Sequence, residues 1–200
     1  MKHSKFILPK MWEILGILGI VLLSQFATAQ CSFLAFNDNV EVVVGPTCEA
    51  LIDRDVVLEN TTNCPDDVTV TLFTNNGTFI ASGTNEALLP SGFAGTTIQV
   101  MVAHTNGLSG MTTAAIVDNL NSTFDQCDNI TISCTTPVDP AASAAVSASD
   151  NCDANVDVSF NVVSTFGPNC SGGPSIYSIV REYTAVDNFD NNATCTQIIS

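Results

Sequence analysis

The stretch Val68-Thr69-Val70-Thr71-Leu72 decides the fold class, because its apolar side chains alternate with threonines. A period of two, rather than the helical period of about 3.6, predicts a strand with one buried and one solvated face. Clusters such as Asn75-Asn76-Gly77 are turn signals between such runs. The sequence therefore predicts an all-β protein of antiparallel sandwiches. The alternation recurs outside this stretch at Val40, Val42 and Val44, at Ile98, Val100 and Val102, and at Val156, Val158, Phe160 and Val162.

Two internal echoes predict tandem modules. The segment that begins at Cys64 is matched 88 residues later by the one that begins at Cys152, with each cysteine at the same distance from the apolar positions. A weaker echo sets Val117-Asp118-Asn119-Leu120 beside Val186-Asp187-Asn188-Phe189. We predict a first module over residues 30–118, a linker over 119–126 and a second module over 127–200.

The N-terminus has the order of a signal peptide. Three lysines precede the apolar run Ile14–Leu23, and Ala27-Thr28-Ala29 supplies small residues for cleavage before Gln30. Ten apolar residues rise only about 15 Å as a helix, half of a ~30 Å hydrocarbon core. We therefore expect a helical signal peptide over residues 1–29, a secreted, extracellular or cell-surface product, and no membrane insertion after cleavage.

The charge balance excludes two classes of partner. After residue 29 the chain has 2 basic side chains, Arg54 and Arg181, against 19 acidic ones. Such a chain cannot neutralise phosphates, so nucleic acid and anionic membrane surfaces are excluded as partners.

The cysteines predict disulfides rather than a metal cluster. All eight follow the predicted cleavage point, and no two of them are as close as in a C-x-x-C pair. We expect Cys134 to pair with Cys195, tying the opening strand of the second module to its closing strand. The remaining expected pairs are Cys152 with Cys170, Cys48 with Cys64, and Cys31 with Cys127.

The second module resembles the hyalin-repeat family of large secreted bacterial surface proteins. The resemblance covers about 75 residues, and Asp190-Asn191 replaces the family's usual Gly-Asn, while no proline follows Cys127. It implies two tandem immunoglobulin-like β-sandwich modules, an extracellular adhesive role, and no catalytic residues. The motifs that carry it are Cys127-Asp-Asn-Ile-Thr-Ile-Ser-Cys134, Asp150-Asn151-Cys152, Tyr183-Thr-Ala-Val-Asp-Asn188 and Cys195-Thr-Gln-Ile-Ile199.

Signatures of catalysis are missing from the sequence after the signal peptide, which contains a single histidine, His104, and no nucleophile elbow, P-loop or GxGxxG motif. We expect no enzyme and no organic cofactor.

Structural calcium is the stronger chemical hypothesis, because two loops concentrate oxygen donors. The candidate ligands are Asp150 and Asp153 in one loop and Asp187 and Asp190 in the other. Asp and Asn also favour β-turns on conformational grounds, and the interpretation we favour from the sequence is that these residues serve turn conformation alone.

These observations predict a non-catalytic structural or adhesive protein of disulfide-linked β-sandwich repeats. Its expected partners are a surface polysaccharide, a surface protein or further repeats of the same protein. One alternative is a carbohydrate- or calcium-binding accessory module of a larger secreted enzyme. Another is a filament subunit completed by strand exchange. Because Ile198-Ile199-Ser200 reads as the middle of a closing strand, we also expect further repeats or a partner to complete that edge.

Overall fold

A computed structural model describes residues 31–64, 66–133, 146–167 and 178–200. The predicted signal peptide, Cys134 and Cys170 lie outside these ranges. The all-β prediction is confirmed, and in the described ranges no helix is long and apolar enough to cross a membrane. In chain order the elements are β1 (Val40–Val43), β2 (Ala50–Asp53), α1 (Arg54–Val57), a 3-10 turn (Thr61–Asn63), β3 (Val68–Thr74), β4 (Phe79–Thr84), β5 (Glu86–Leu89), β6 (Thr97–His104), β7 (Ser109–Val117), β8 (Thr123–Gln126), β9 (Ser147–Ser149), β10 (Asp157–Phe166), β11 (Ser178–Val186) and β12 (Asn192–Ile199).

The first module is a two-layer sandwich. A five-stranded sheet of order β1-β7-β6-β3-β4 packs over the β2-β5 pair, and both contribute to one apolar core. β1 runs parallel to β7, whereas the other pairs are antiparallel. This strand order confirms the immunoglobulin-like prediction.

The alternating residues of this module face the core as predicted. Val70, Leu72 and Val100 have no exposed surface, and Val42 is 8% exposed. The turn predicted at Asn75-Asn76-Gly77 joins β3 to β4, and Gly77 adopts a φ of +83° that favours glycine. The N–H of Gly77 donates to the carbonyl of Thr74 at 2.9 Å and closes the hairpin.

In the part of the second module that the structure describes, the strands form a three-stranded antiparallel sheet, β10-β11-β12, and a short β8-β9 pair. The predicted linker, residues 119–126, therefore contains the strand β8, and we count the second module from β8 onward. Ile130 forms a parallel bridge with Ile199, which places the segment after Cys127 beside β12.

β10 departs from the predicted pattern. We expected Val158 and Val162 to be buried, but they are 39% and 53% exposed. Within the described residues β10 pairs only with β11, and a bulge after Val162 shifts the register between them. Alternation shows which side chains share a face, but it does not show whether a second layer covers that face.

β11 provides the buried side of this sheet. Ile179, Tyr183 and Ala185 are buried, and Arg181 is 3% exposed. The Arg181 guanidinium lies 4.6 Å from the centre of the Phe160 ring, a cation–π contact that places a buried charge over an aromatic face.

All six described cysteines form disulfides, but none of the expected pairings is correct. Cys134–Cys195, Cys152–Cys170, Cys48–Cys64 and Cys31–Cys127 are all wrong. The observed bonds are Cys31–Cys64, Cys48–Cys152 and Cys127–Cys195.

The topology explains the observed pairs within modules. Cys31 and Cys64 lie at the end of the sandwich where β3 begins, whereas Cys48 lies in the turn between β1 and β2, at the opposite end. In the second module, the parallel bridge between Ile130 and Ile199 aligns Cys127 with the level of Cys195. A disulfide does tie the opening segment of the second module to its closing strand, as predicted. The cysteine of the opening segment is Cys127, however, and not Cys134.

Candidate metal centre at the module junction

The two modules meet where β7 and β11 end. The Asn191 side chain donates to the carbonyl of Asp118 at 3.2 Å, and the Asn151 side chain donates to the carbonyl of Gly45 at 3.1 Å. The Cys48–Cys152 disulfide joins the same two sides covalently. The junction is therefore held by both a covalent bond and direct hydrogen bonds.

Asp118 and Asp187 occupy equivalent positions in the two modules. Each directly follows a strand, and each folds its loop by accepting a hydrogen bond from the N–H two residues later. Asp118 Oδ1 accepts from Leu120 at 3.0 Å, and Asp187 Oδ1 accepts from Phe189 at 2.8 Å. The echo in the sequence thus corresponds to a repeated Asx turn.

Asp150 brings a third carboxylate to the same place. Its Oδ1 accepts from the N–H groups of Cys152 and Asp153 at 2.9 and 3.1 Å. One carboxylate oxygen from each of Asp118, Asp150 and Asp187 lies within 4.8 Å of the other two. The cluster therefore joins the end of the first module to two loops of the second.

Burial makes this cluster electrostatically unusual. Asp118 is 3% exposed and Asp187 is 6% exposed. The Oδ2 atoms of Asp118 and Asp150 are buried without a hydrogen-bond partner. Burial raises the pKa of the Asp118 carboxyl, and the charges of Asp150 and Asp187 raise it further, against the lowering effect of the hydrogen bond from the N–H of Leu120 and of the nearby Asn151 amide.

The structure brings together two of the four predicted calcium ligands, Asp150 and Asp187. Asp153 instead uses its two carboxylate oxygens to accept from the N–H groups of Asn155 and Asn188, at 2.9 and 2.8 Å. Asp190 is exposed at a φ of +66°, outside the cluster. That any of these residues binds calcium stays a prediction.

Asp118 was not among the predicted ligands. The signal that could have found it was the echo with Asp187, because both residues are the aspartate of the same Val-Asp-Asn motif. The sequence alone did not show that the strand ends at the two motifs would face each other.

His104 has a local structural role in the turn after β6. Its Nδ1 accepts from the N–H of Asn106 at 3.1 Å, and its Nε2 lies 3.7 Å from the Asp66 carboxylate. These contacts account for both ring nitrogens without invoking catalysis.

Comparisons with known proteins give no family assignment. No family model matches the chain, and no curated protein matches it. The resemblance to hyalin repeats therefore stays a prediction.

Matches to solved structures are remote. The two-domain fragment Ig1+Ig2 of DIP-gamma is 8% identical over 85% of this chain and 98% of its own, with a TM-score of 0.34. Drosophila N-cadherin EC1-4 is 12% identical over 80% of this chain and 47% of its own, with a TM-score of 0.32. Protocadherin Gamma B2 extracellular cadherin domains 1-5 is 14% identical over 84% and 40%, with a TM-score of 0.31. The chain thus spans less than half the length of these two cadherin fragments.

Proposed function

We propose that this chain is an exported, non-catalytic structural or adhesive protein whose two β-sandwich modules act as one stiff unit. The Cys48–Cys152 disulfide carries the proposal, because it fixes the two modules to each other rather than strengthening one of them. Interfaces between domains of one chain otherwise permit relative motion by default.

The chemistry of the chain supports an extracellular setting. Disulfides persist in oxidising compartments, and three of them occur in the described residues. The partner we propose is a surface polysaccharide, a surface protein or further repeats of the same protein. The acidic character of the chain after residue 29 favours neutral or basic partner surfaces over phosphate-rich ones.

Export and adhesion are tested separately. The full chain is expressed in a secreting host, and the released protein is assayed for free thiols. We expect extracellular protein with no reactive thiol; retention inside the cell in reduced form would refute the proposal.

Adhesion is tested with beads coated with the oxidised protein. The beads should aggregate with each other or bind a panel of surface polysaccharides, and inert beads would contradict the adhesive role.

Stiffness is tested by small-angle X-ray scattering. We expect the oxidised protein to give a single extended shape, and the double variant Cys48→Ser with Cys152→Ser to give a broader distribution of dimensions. Equal distributions for both proteins would argue against a stiff unit that depends on the disulfide.

A further inference from the structure

We propose that Asp118, Asp150 and Asp187 bind one calcium ion at the junction of the two modules. The site does not rest on the proposed adhesive role. Three carboxylates alone would not establish it, because acidic side chains often gather at loops. The decisive observation is that the Oδ2 atom of Asp118, a residue only 3% exposed, has no hydrogen-bond partner.

The orphaned oxygens form a pattern. In Asp118 and Asp150 the Oδ1 atom holds its own loop, while the Oδ2 atom is buried without a partner. The Ser122 hydroxyl, in the connector that leaves Asp118, is also buried and unpartnered, in a residue that is 2% exposed. Buried polar atoms are almost always paired, so two unpartnered carboxylate oxygens in one cluster indicate a missing ligand.

The described residues offer no counter-charge at the cluster. Every lysine, arginine and histidine after residue 30 is accounted for elsewhere: Arg54 donates to the carbonyl of Asp66 at 2.6 Å, His104 lies beside the Asp66 carboxylate, and Arg181 lies over Phe160. Carboxylates within 4.8 Å of one another, two of them in buried residues, repel strongly at reduced dielectric. A cation from solution is the remaining source of positive charge.

The donor set favours calcium among the common cations. Its ligands are carboxylate oxygens, without imidazole or thiolate, which points to a hard ion rather than zinc or copper. Calcium accepts a flexible shell of six to eight oxygens at about 2.3–2.6 Å, whereas magnesium demands near-ideal octahedral geometry and gives up its water ligands reluctantly. The spacing within 4.8 Å lets one calcium ion reach all three residues, with water completing its shell.

Binding would join three separate segments. Asp118 follows β7 of the first module, Asp150 precedes the second-module cysteine of the junction disulfide, and Asp187 follows β11. One ion would therefore fasten the exit of the first module to two loops of the second. We expect calcium to stiffen the junction in addition to the disulfide.

The test uses the oxidised protein, stripped with EDTA, dialysed, and titrated with calcium chloride by isothermal calorimetry in 150 mM sodium chloride. We expect one calcium ion per chain with a Kd on the order of 10⁻⁴ M, as is typical of extracellular modules, and binding of magnesium chloride at least about tenfold weaker. Absence of saturable calcium binding up to about 10 mM would overturn the proposal, since extracellular sites bind at or below about 10⁻³ M.

Asp118→Asn is the informative variant, because asparagine keeps an Oδ1 acceptor for the N–H of Leu120 while removing the charge. We expect its calcium affinity to fall about tenfold or more, since affinity depends on the number of charged ligands. In EDTA its melting temperature should equal or exceed that of the unchanged protein, because one of three repelling charges is gone. This opposite effect on stability distinguishes a lost ligand from a damaged fold.

Asp190→Asn is the matched control. It removes one negative charge from the same loop as Asp187, and asparagine tolerates the positive φ at this exposed position. We expect unchanged calcium affinity. Loss of binding in this variant, or full binding in Asp118→Asn, would refute the assigned ligands.

Discussion

The two modules obtain their stability in different ways. The first packs a five-stranded sheet against a second layer, and its central side chains, such as Val70, Leu72 and Val100, have no exposed surface. The second exposes Val162 and Val163 on β10 by 53% and 60%, and its buried set includes the charged Arg181. The first module thus relies on apolar burial, whereas the described part of the second relies more on cross-links, polar contacts and its attachment to the first.

Removing the junction disulfide should produce the largest effect on this arrangement. A bond that closes a loop of 104 residues restricts the unfolded chain, and we expect Cys48→Ser with Cys152→Ser to lower the free energy of unfolding by about 4 kcal/mol. Chemical denaturation of the oxidised proteins measures this. If the second module is the less stable of the two, the variant should unfold in two steps, with the second module unfolding first. A single transition, unchanged from that of the oxidised protein, would contradict the comparison.

A matched pair of substitutions tests the cores directly. Val100→Ala removes buried methyl groups from the first module and should cost about 2–3 kcal/mol, whereas Val162→Ala on exposed β10 should stay within about 0.5 kcal/mol. Both are measured by urea denaturation with the same protocol. Equal costs would show that Val162 is covered in solution and that the second module packs more tightly than described.

Contact across the junction is tested at Gly95. A Cβ there would lie 2.8 Å from Cε1 of Phe189, and the residue has a φ of +74°, so Gly95→Ala should cost about 1–2 kcal/mol from backbone strain plus the displacement of Phe189. Gly92→Ala is the control, because it has a φ of +94° and nothing within 4 Å. Thermal melts should show a larger loss for Gly95→Ala. Identical losses would mean that Phe189 does not press on the first module.

The smallest expected effect is a pH dependence at the junction of the metal-free protein. The folded state raises the pKa of Asp118, whose charged neighbours are Asp150 and Asp187, so protonation of Asp118 favours folding. The stability contributed by this protonation is fully present below the pKa of an unfolded aspartate. It is lost as the pH rises through the higher pKa of Asp118 in the folded state. In EDTA, the stability of the unchanged protein relative to Asp118→Asn should therefore increase as pH is lowered from 7 toward 4. A constant difference would show that the Asp118 carboxyl is not perturbed.

Sequence reasoning succeeded where one local pattern determines the outcome. Alternation at Val68, Val70 and Leu72 is sufficient to identify a buried strand face, because side chains alternate across any strand. It failed at Val158 and Val162, because the same alternation occurs whether or not another layer covers the strand. Burial there depends on neighbours that the local sequence does not specify.

The cysteines and the acidic site show the same limit. The even count of cysteines indicates disulfides, but the partner of Cys48 depends on the way two modules pack, and eight cysteines allow 105 pairings. Asp150 and Asp187 could be proposed as ligands because they lie in oxygen-rich loops. Asp118 could not, because its role depends on two distant strand ends that meet only in the folded protein.

The Cys48–Cys152 bond also changes how the chain would bear mechanical load. When the chain is pulled from both ends, tension passes from residue 48 directly to residue 152 through the disulfide, and the 104-residue loop between them is bypassed. Within that loop, the stretch from Cys64 to Cys127 would extend to about 210 Å at roughly 3.4 Å per residue, and it stays locked as long as the bond is intact. Most of the strands of the first module, including its central β3, β6 and β7, lie inside this loop and are shielded from force. Reduction of this bond would place the stretch from Cys64 to Cys127 under tension, because Cys31–Cys64 and Cys127–Cys195 would then carry the load through it. The extensibility of the protein therefore depends on the redox state of its surroundings.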